Sequence, residues 1–233
     1  MQIVNVSQTR DREAWLELRR GVPTGTKAKQ LAALKRSKAT PQGVYELLAE
    51  KVAIPKSEWV AGEENETERD RGLRLEQEAL LITQDKFNLD LNLDAGMWLT
   101  DDGKLGVSPD GAENSELPTY AAEAKCLDSK NHLQAIINDF EAKQEDGYNP
   151  LNSLKISTTD YSAQAIQYFV VNPDLNTLYF TLYDDRIALE NVMHYVIVIH
   201  REDVESLVKE QELYERAALN QVNVMIEILK RIK

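Results

Sequence analysis

Residues 106–126, "GVSPDGAENSELPTYAAEAKC", put one acid on a Ser-Pro-Asp-Gly turn (Asp110). A second acid and a lysine, Glu123 and Lys125, then stand one residue apart in a run of small and apolar residues. Side chains of a strand alternate between its faces, so Glu123 and Lys125 share one face. Ala122, Ala124 and Cys126 then point to the opposite, packed face. Asp110, at the end of the neighbouring strand, closes the group.

Working outward, the flanking segments also read as strands. Residues 95–111, "AGMWLTDDGKLGVSPDG", predict a hairpin turning at Asp102 and Gly103. "TYAAEAKCL" pairs next, and "TLYFTLYDD" and "HYVIVIH" supply two more strands. Helical spacing surrounds them. "REAWLELRRG", "TGTKAKQLAALKRSKAT" and "TPQGVYELLAEKVAI" predict three N-terminal helices, followed by an acidic loop over 58–70. "RGLRLEQEALLITQDKF", "HLQAIINDFEAKQ" and "TTDYSAQAIQYFVV" predict three more, with "NPLNSLKIST" as a loop. A long helix runs from about residue 202 to the end of the sequence. Helices on either side of a central mixed β-sheet of about five strands make the expected class α/β.

A chain of 233 residues with 42% apolar and 28% charged residues suits a globular fold with a real core. No apolar run is long enough to span a bilayer, and residues 1–15 lack the pattern of a signal peptide. A single cysteine, Cys126, excludes an internal disulfide and fits a reducing, cytoplasmic setting. The net charge of −12 argues against a nucleic-acid partner at first sight. Residues 1–40, however, carry nine Lys or Arg against three acids. Phosphate binding needs a local basic surface rather than a basic average. A solvated helix face explains the same run.

Two carboxylates converging on one point repel each other unless a cation is shared between them. A hard divalent ion with oxygen ligands removes the conflict, and Mg²⁺ is usual where phosphate supplies further ligands. A lysine beside such an ion can hold the attacking water and offset charge in the transition state. The combination points to metal-assisted phosphodiester hydrolysis. Glu-x-Lys alone is a weak signal, and the chain contains a decoy, Glu141-Ala-Lys143, in a helical pattern with no Pro-Asp turn upstream. The bland reading of Glu123 and Lys125 is a salt-bridged pair on an exposed edge strand. The three histidines, His132, His194 and His200, lack metal-ligand spacing and read as surface or strand-end residues. Cys126 reads as a core residue, and Trp15, Trp59 and Trp98 as packing.

Asp110, Glu123 and Lys125 match the PD-(D/E)xK nuclease signature, and the chain resembles the lambda-type phage exonucleases of the YqaJ-like viral recombinase group. "AWLELRRGVPTGT", "RGLRLEQEAL", "YSAQAIQYFVV" and "HYVIVIHRED" match further segments of that family in order, over about residues 12–205. The resemblance implies that Asp110 and Glu123, with the Ala124 carbonyl, are ligands to Mg²⁺ (two ions, with Mn²⁺ as a substitute). It implies that Lys125 orients the water, that Glu76 adds a carboxylate, and that Gln164 is the active-site glutamine. Gln167, one turn along, competes for that last role. Arg19 and Thr26 would grip a 5′-phosphate, which suits a guanidinium and a helix N-terminus. The family's apolar residues around the catalytic Glu are alanines here, Ala122 and Ala124, which would leave more room under the sheet.

The implied activity is a Mg²⁺-dependent 5′→3′ double-strand DNA exonuclease. It would be a single nuclease domain over 1–233, encoded by a phage or prophage and active in the bacterial cytoplasm. It would assemble as a homotrimeric ring on double-stranded DNA ends and leave 3′ single strands for a single-strand annealing protein. The rival readings are another PD-(D/E)xK nuclease, either an endonuclease or a repair-complex module, and a catalytically silent DNA-end-binding accessory protein.

Overall fold

The computed structural model describes residues 13–14, 49, 68–156 and 159–229; for 68–73, 214 and 218–229 only the backbone course is described. Most of the three N-terminal helices, Trp15, Trp59 and the basic residues of 1–40 lie outside the described residues. Within them, the sheet has the order β1-β4-β5-β8-β9. Its strands are β1 (Leu91–Asn92), β4 (Gly111–Glu113), β5 (Tyr120–Lys125), β8 (Thr177–Tyr183) and β9 (His194–His200). Neighbours pair antiparallel except β5 and β8, which run parallel. The expected mixed five-stranded sheet with flanking helices is the observed one.

Helix α1 (Glu68–Phe87) covers one face of the sheet and begins three residues before the sequence pattern suggested. Its Leu75, Ala79 and Leu80 recur at helical spacing and pack on Ala122, Ala124 and Tyr183. The alanines of β5 are covered by α1, which packs directly on them. Asn88 ends the helix with φ 52°, and the Leu89 N–H reaches back to the Gln84 carbonyl at 2.9 Å. That is the left-handed stop for which asparagine is suited.

The opposite face carries α3 (Ser162–Val171) and α5 (Arg201–Leu229). Ala165, Phe169, Leu178, Phe180, Leu182, Ile197, Val204 and Val208 form the main core there. Arg201 clamps the end of α3: its Nη2 donates to the carbonyls of Phe169 (3.0 Å) and Asn172 (2.6 Å). A guanidinium at a helix C-terminus satisfies orphan carbonyls and complements the dipole.

Helix α2 (Ser129–Ala142) follows β5, and its first turn is capped by Asp128, whose Oδ1 accepts the Asn131 N–H at 2.8 Å. Residues 149–156 are more ordered than a loop. A 3₁₀ turn (Pro150–Leu154) leads into β6 (Lys155–Ile156), which pairs with β7 (Thr159–Asp160). The hairpin of β2 (Trp98–Leu99) and β3 (Gly106–Val107) is present, with a wider loop than a two-residue turn. The reason is local: the Thr100 hydroxyl donates to Asp102 Oδ1 at 2.7 Å, which also accepts the Lys104 N–H. Arg216 of α5 holds Asp102 at 2.7 Å and pins the hairpin to the body.

His194 and His200 stand at the two ends of β9, as strand-end residues, but His194 and His132 are both buried. His132, within α2, is fully buried, its Nε2 2.7 Å from the Val192 carbonyl. His194 is buried at the start of β9, by the short α4 (Glu190–Met193), with Nε2 2.9 Å from Thr83 Oγ1. Neutral imidazole tolerates burial when its nitrogens find partners, so lack of ligand spacing does not place a histidine outside. Burial, with the nearby Lys86 charge, holds His194 down at about 4 against an ordinary 6.5. The folded state thus binds fewer protons than the unfolded chain between those values. Stability is complete above pH 6.5 and is lost as pH falls toward 4, by up to about 3 kcal/mol. Urea unfolding of the parent and of His194→Gln across this range should show the extra acid loss in the parent alone. Parallel pH profiles would refute the assignment.

Candidate active site

β5 is the third of five strands, so Glu123 and Lys125 are not an exposed edge pair. In register Glu123 lies beside Phe180 and Lys125 beside Leu182, which places both on the α3 face. Glu123 is 1% exposed. A carboxylate so buried must be satisfied, and three donors satisfy it. The Lys125 ammonium and Gln164 Nε2 (2.6 Å) donate to Oε1, and the Tyr168 phenol donates to Oε2. Gln167 points elsewhere, toward the Gly106 carbonyl and Gln211 of α5. Gln164 is the glutamine that meets the acid.

Asp110 precedes β4, at the point where Pro109 cannot donate to the ladder. Its Oδ2 accepts the Ala124 N–H at 2.8 Å, bringing the turn carboxylate onto the catalytic-strand candidate. Burial pushes Asp110 up to about 6, against the pull of the Ala124 N–H and with the Glu76 carboxyl adding to the rise. Glu76 of α1 thus joins the group from the other side of the strand. Burial also raises Glu123, opposed by Lys125 and reinforced by Asp110. Lys125 is raised by Glu123, although burial opposes it. Together the shifts describe buried carboxylates crowded against one another beside a single ammonium.

That behaviour fits a divalent ion. The donors available are carboxylate oxygens, the hard ligands such an ion takes, and crowding among them is what the ion would relieve. Among the described residues no three His, Cys, Asp or Glu groups stand together as a ready cage. The carboxylates are instead partly engaged by Lys125, Gln164 and Tyr168. Ala124 is tied to the site through its N–H. Arg19 and Thr26 lie outside the described residues.

Tyr168 is the site residue that the sequence reading missed. Its signal was present: it stands four residues after Gln164 on α3, hence on the same face. Tyr161 also contributes, with its ring 5.8 Å from Lys125 Nζ. Trp98 packs edge-on against Tyr168 at 6.4 Å, and Cys126 is half-buried against the α1 core, as packing readings expected.

No curated protein matches the chain. Two crystal structures share its fold. LHK-Exo in complex with dAMP is 22% identical, with a TM-score of 0.54, covering 94% of this chain and 96% of that one. The alkaline exonuclease LHK-Exo from Laribacter hongkongensis is 21% identical, with a TM-score of 0.51 and the same coverage. Residues 14–171, more than half the chain, match the YqaJ-like viral recombinase domain. The chain, its Glu123 and Lys125 on a central strand of that shared fold, belongs to the YqaJ-like viral recombinase domain family.

Proposed function

We propose that this protein is a divalent-metal-dependent 5′→3′ exonuclease of double-stranded DNA, one nuclease domain over 1–233. The observation that carries the reading is that Asp110 is held on the Ala124 N–H with Glu76 beside it, while Lys125 and Gln164 hold the neighbouring Glu123 of β5. That a structural relative was crystallised with dAMP supports a deoxynucleotide product. Asp110 and Glu123, with the Ala124 carbonyl, would hold Mg²⁺ or Mn²⁺, which when bound supplies Lewis-acid charge at the scissile phosphate. Glu76 adds negative charge that favours retention of the ion.

Lys125 holds the attacking water and offsets charge as the phosphodiester is cut. For that it must exchange its bond to Glu123 for the reacting group, while Gln164 keeps Glu123 in place. Arg19 and Thr26 bind the 5′-phosphate of the strand end. Bulk acidity is reconciled with DNA if a homotrimeric ring lines its channel with the basic residues of 1–40, since outward acids are screened beyond about 8 Å. The 3′ strand left behind suits an annealing protein in the host cytoplasm.

The test is digestion of linear duplex labelled at either end of one strand, with and without Mg²⁺, beside a closed circular plasmid. Loss of the 5′ label first, only with metal and only on linear DNA, is expected. Nicking of the plasmid would make the protein an endonuclease. Binding of ends without cutting would make it an accessory protein.

A further inference from the structure

Tyr168 lies on the buried face of α3 among Ala165, Phe169 and Val171, and is itself fully buried. A phenylalanine would fill that space without carrying a hydroxyl that has to be satisfied away from water. The hydroxyl goes to Glu123 Oε2, the oxygen that Lys125 and Gln164 leave alone. The same phenol oxygen faces the main-chain N–H of Asp110. One buried group thus lies between the Glu123 carboxylate on β5 and the main chain of the turn that carries Asp110. Its ring is braced by Trp98, and the end of its helix is clamped by Arg201.

We infer that Tyr168 is a positioning residue of the proposed nuclease centre, its hydroxyl fixing Glu123 and the Asp110 main chain relative to each other. The inference rests on the nuclease reading above. Without the hydroxyl, Glu123 keeps donors on Oε1 alone and can rotate about that end, and the Asp110 backbone loses its neighbour. Partners one step behind metal ligands set the orientation of those ligands, and their removal costs about 10–100-fold in metal affinity or activity.

The experiment compares the parent with Tyr168→Phe by calorimetric titration of Mn²⁺ without DNA, and then by duplex digestion at saturating Mn²⁺. Mn²⁺ should bind about 10–100-fold more weakly, and kcat should fall over a similar range. KM for DNA ends should not move, because the hydroxyl is buried away from any strand. Tyr168→Met, also unable to donate, should reproduce both losses. Folded variants with parental Mn²⁺ affinity and kcat would overturn the inference. A drop in melting temperature with unchanged Mn²⁺ affinity would overturn it too, by making the hydroxyl purely structural, as would loss of the fold in both variants. A parent that neither binds Mn²⁺ nor cuts DNA sinks the nuclease reading itself. A parent that does both, with indifferent Tyr168 variants, sinks only this inference.

Discussion

A Lys125→Ala protein should cut linear duplex DNA about a hundred- to a thousand-fold more slowly than the parent while still binding its ends. The ammonium sits on Glu123 Oε1 at the mouth of the carboxylate group, where it can meet a water or a developing negative charge. Its loss removes an interaction made mainly in the transition state, so the rate should fall and end affinity should hold. Glu123 retains Gln164 and Tyr168 as donors, so the variant should stay folded. Single-turnover digestion and end-binding titrations check both halves. Cutting near the parental rate would dismiss the whole assignment of Asp110, Glu123 and Lys125.

An equally large effect, on stability, is expected far from those acids. Asp139→Ala should melt roughly 10 °C below the parent, from a loss of about 3–5 kcal/mol. Asp139 is fully buried on α2. Its Oδ1 accepts from Tyr148 (2.6 Å) and Ser153 (2.7 Å), and its Oδ2 from Tyr195 (2.6 Å) and Lys143 (2.6 Å). Alanine strands three hydroxyls and an ammonium at once; the hydroxyls dominate, since Lys143 is two-fifths exposed and partly screened. Burial alone would raise the Asp139 carboxyl, but Lys143, Tyr148, Tyr195 and Ser153 outweigh it and hold it below its ordinary 3.8. Its contribution is therefore present above that value and is lost as pH falls through the lower folded one. Calorimetric melts at neutral and acid pH should show the gap between variant and parent narrowing in acid. A shift of only a degree or two at neutral pH would show that the network adds little.

What could be read in advance followed from periodicity and spacing. Strand alternation placed Glu123 and Lys125 on one face and the alanines on the other, and helical spacing located α1, α2, α3 and α5. The decoy shows why context mattered: Glu141 and Lys143 lie two apart on a helix, where they do not face each other, and Lys143 turns to Asp139 instead. Three-dimensional closure was not legible. Nothing local says that α1 closes on Ala122 and Ala124, or that α3 delivers Tyr168 to Glu123. The burial of His132 and His194 was not legible for the same reason, since their partners, Val192 and Thr83, are distant in sequence. The choice between Gln164 and Gln167 also needed the helix to be docked, because the two differ only in which neighbour each reaches.

The single parallel pairing among the described strands sets an order of events. Asp110 and Glu123 belong to the antiparallel β4–β5 hairpin, whose short connection makes closure entropically cheap. Gln164 and Tyr168 belong to the excursion that leaves β5, passes through α2 and α3, and returns beside it as β8. Parallel neighbours require such a crossover, and pairings between distant parts of the chain form slowly. The acids can therefore come together early in folding, while the groups that hold Glu123 arrive only when the excursion has closed. A chain emerging from the ribosome has its carboxylates before it has their support, so a competent centre is a late product of folding, assembled after most of the sheet is in place.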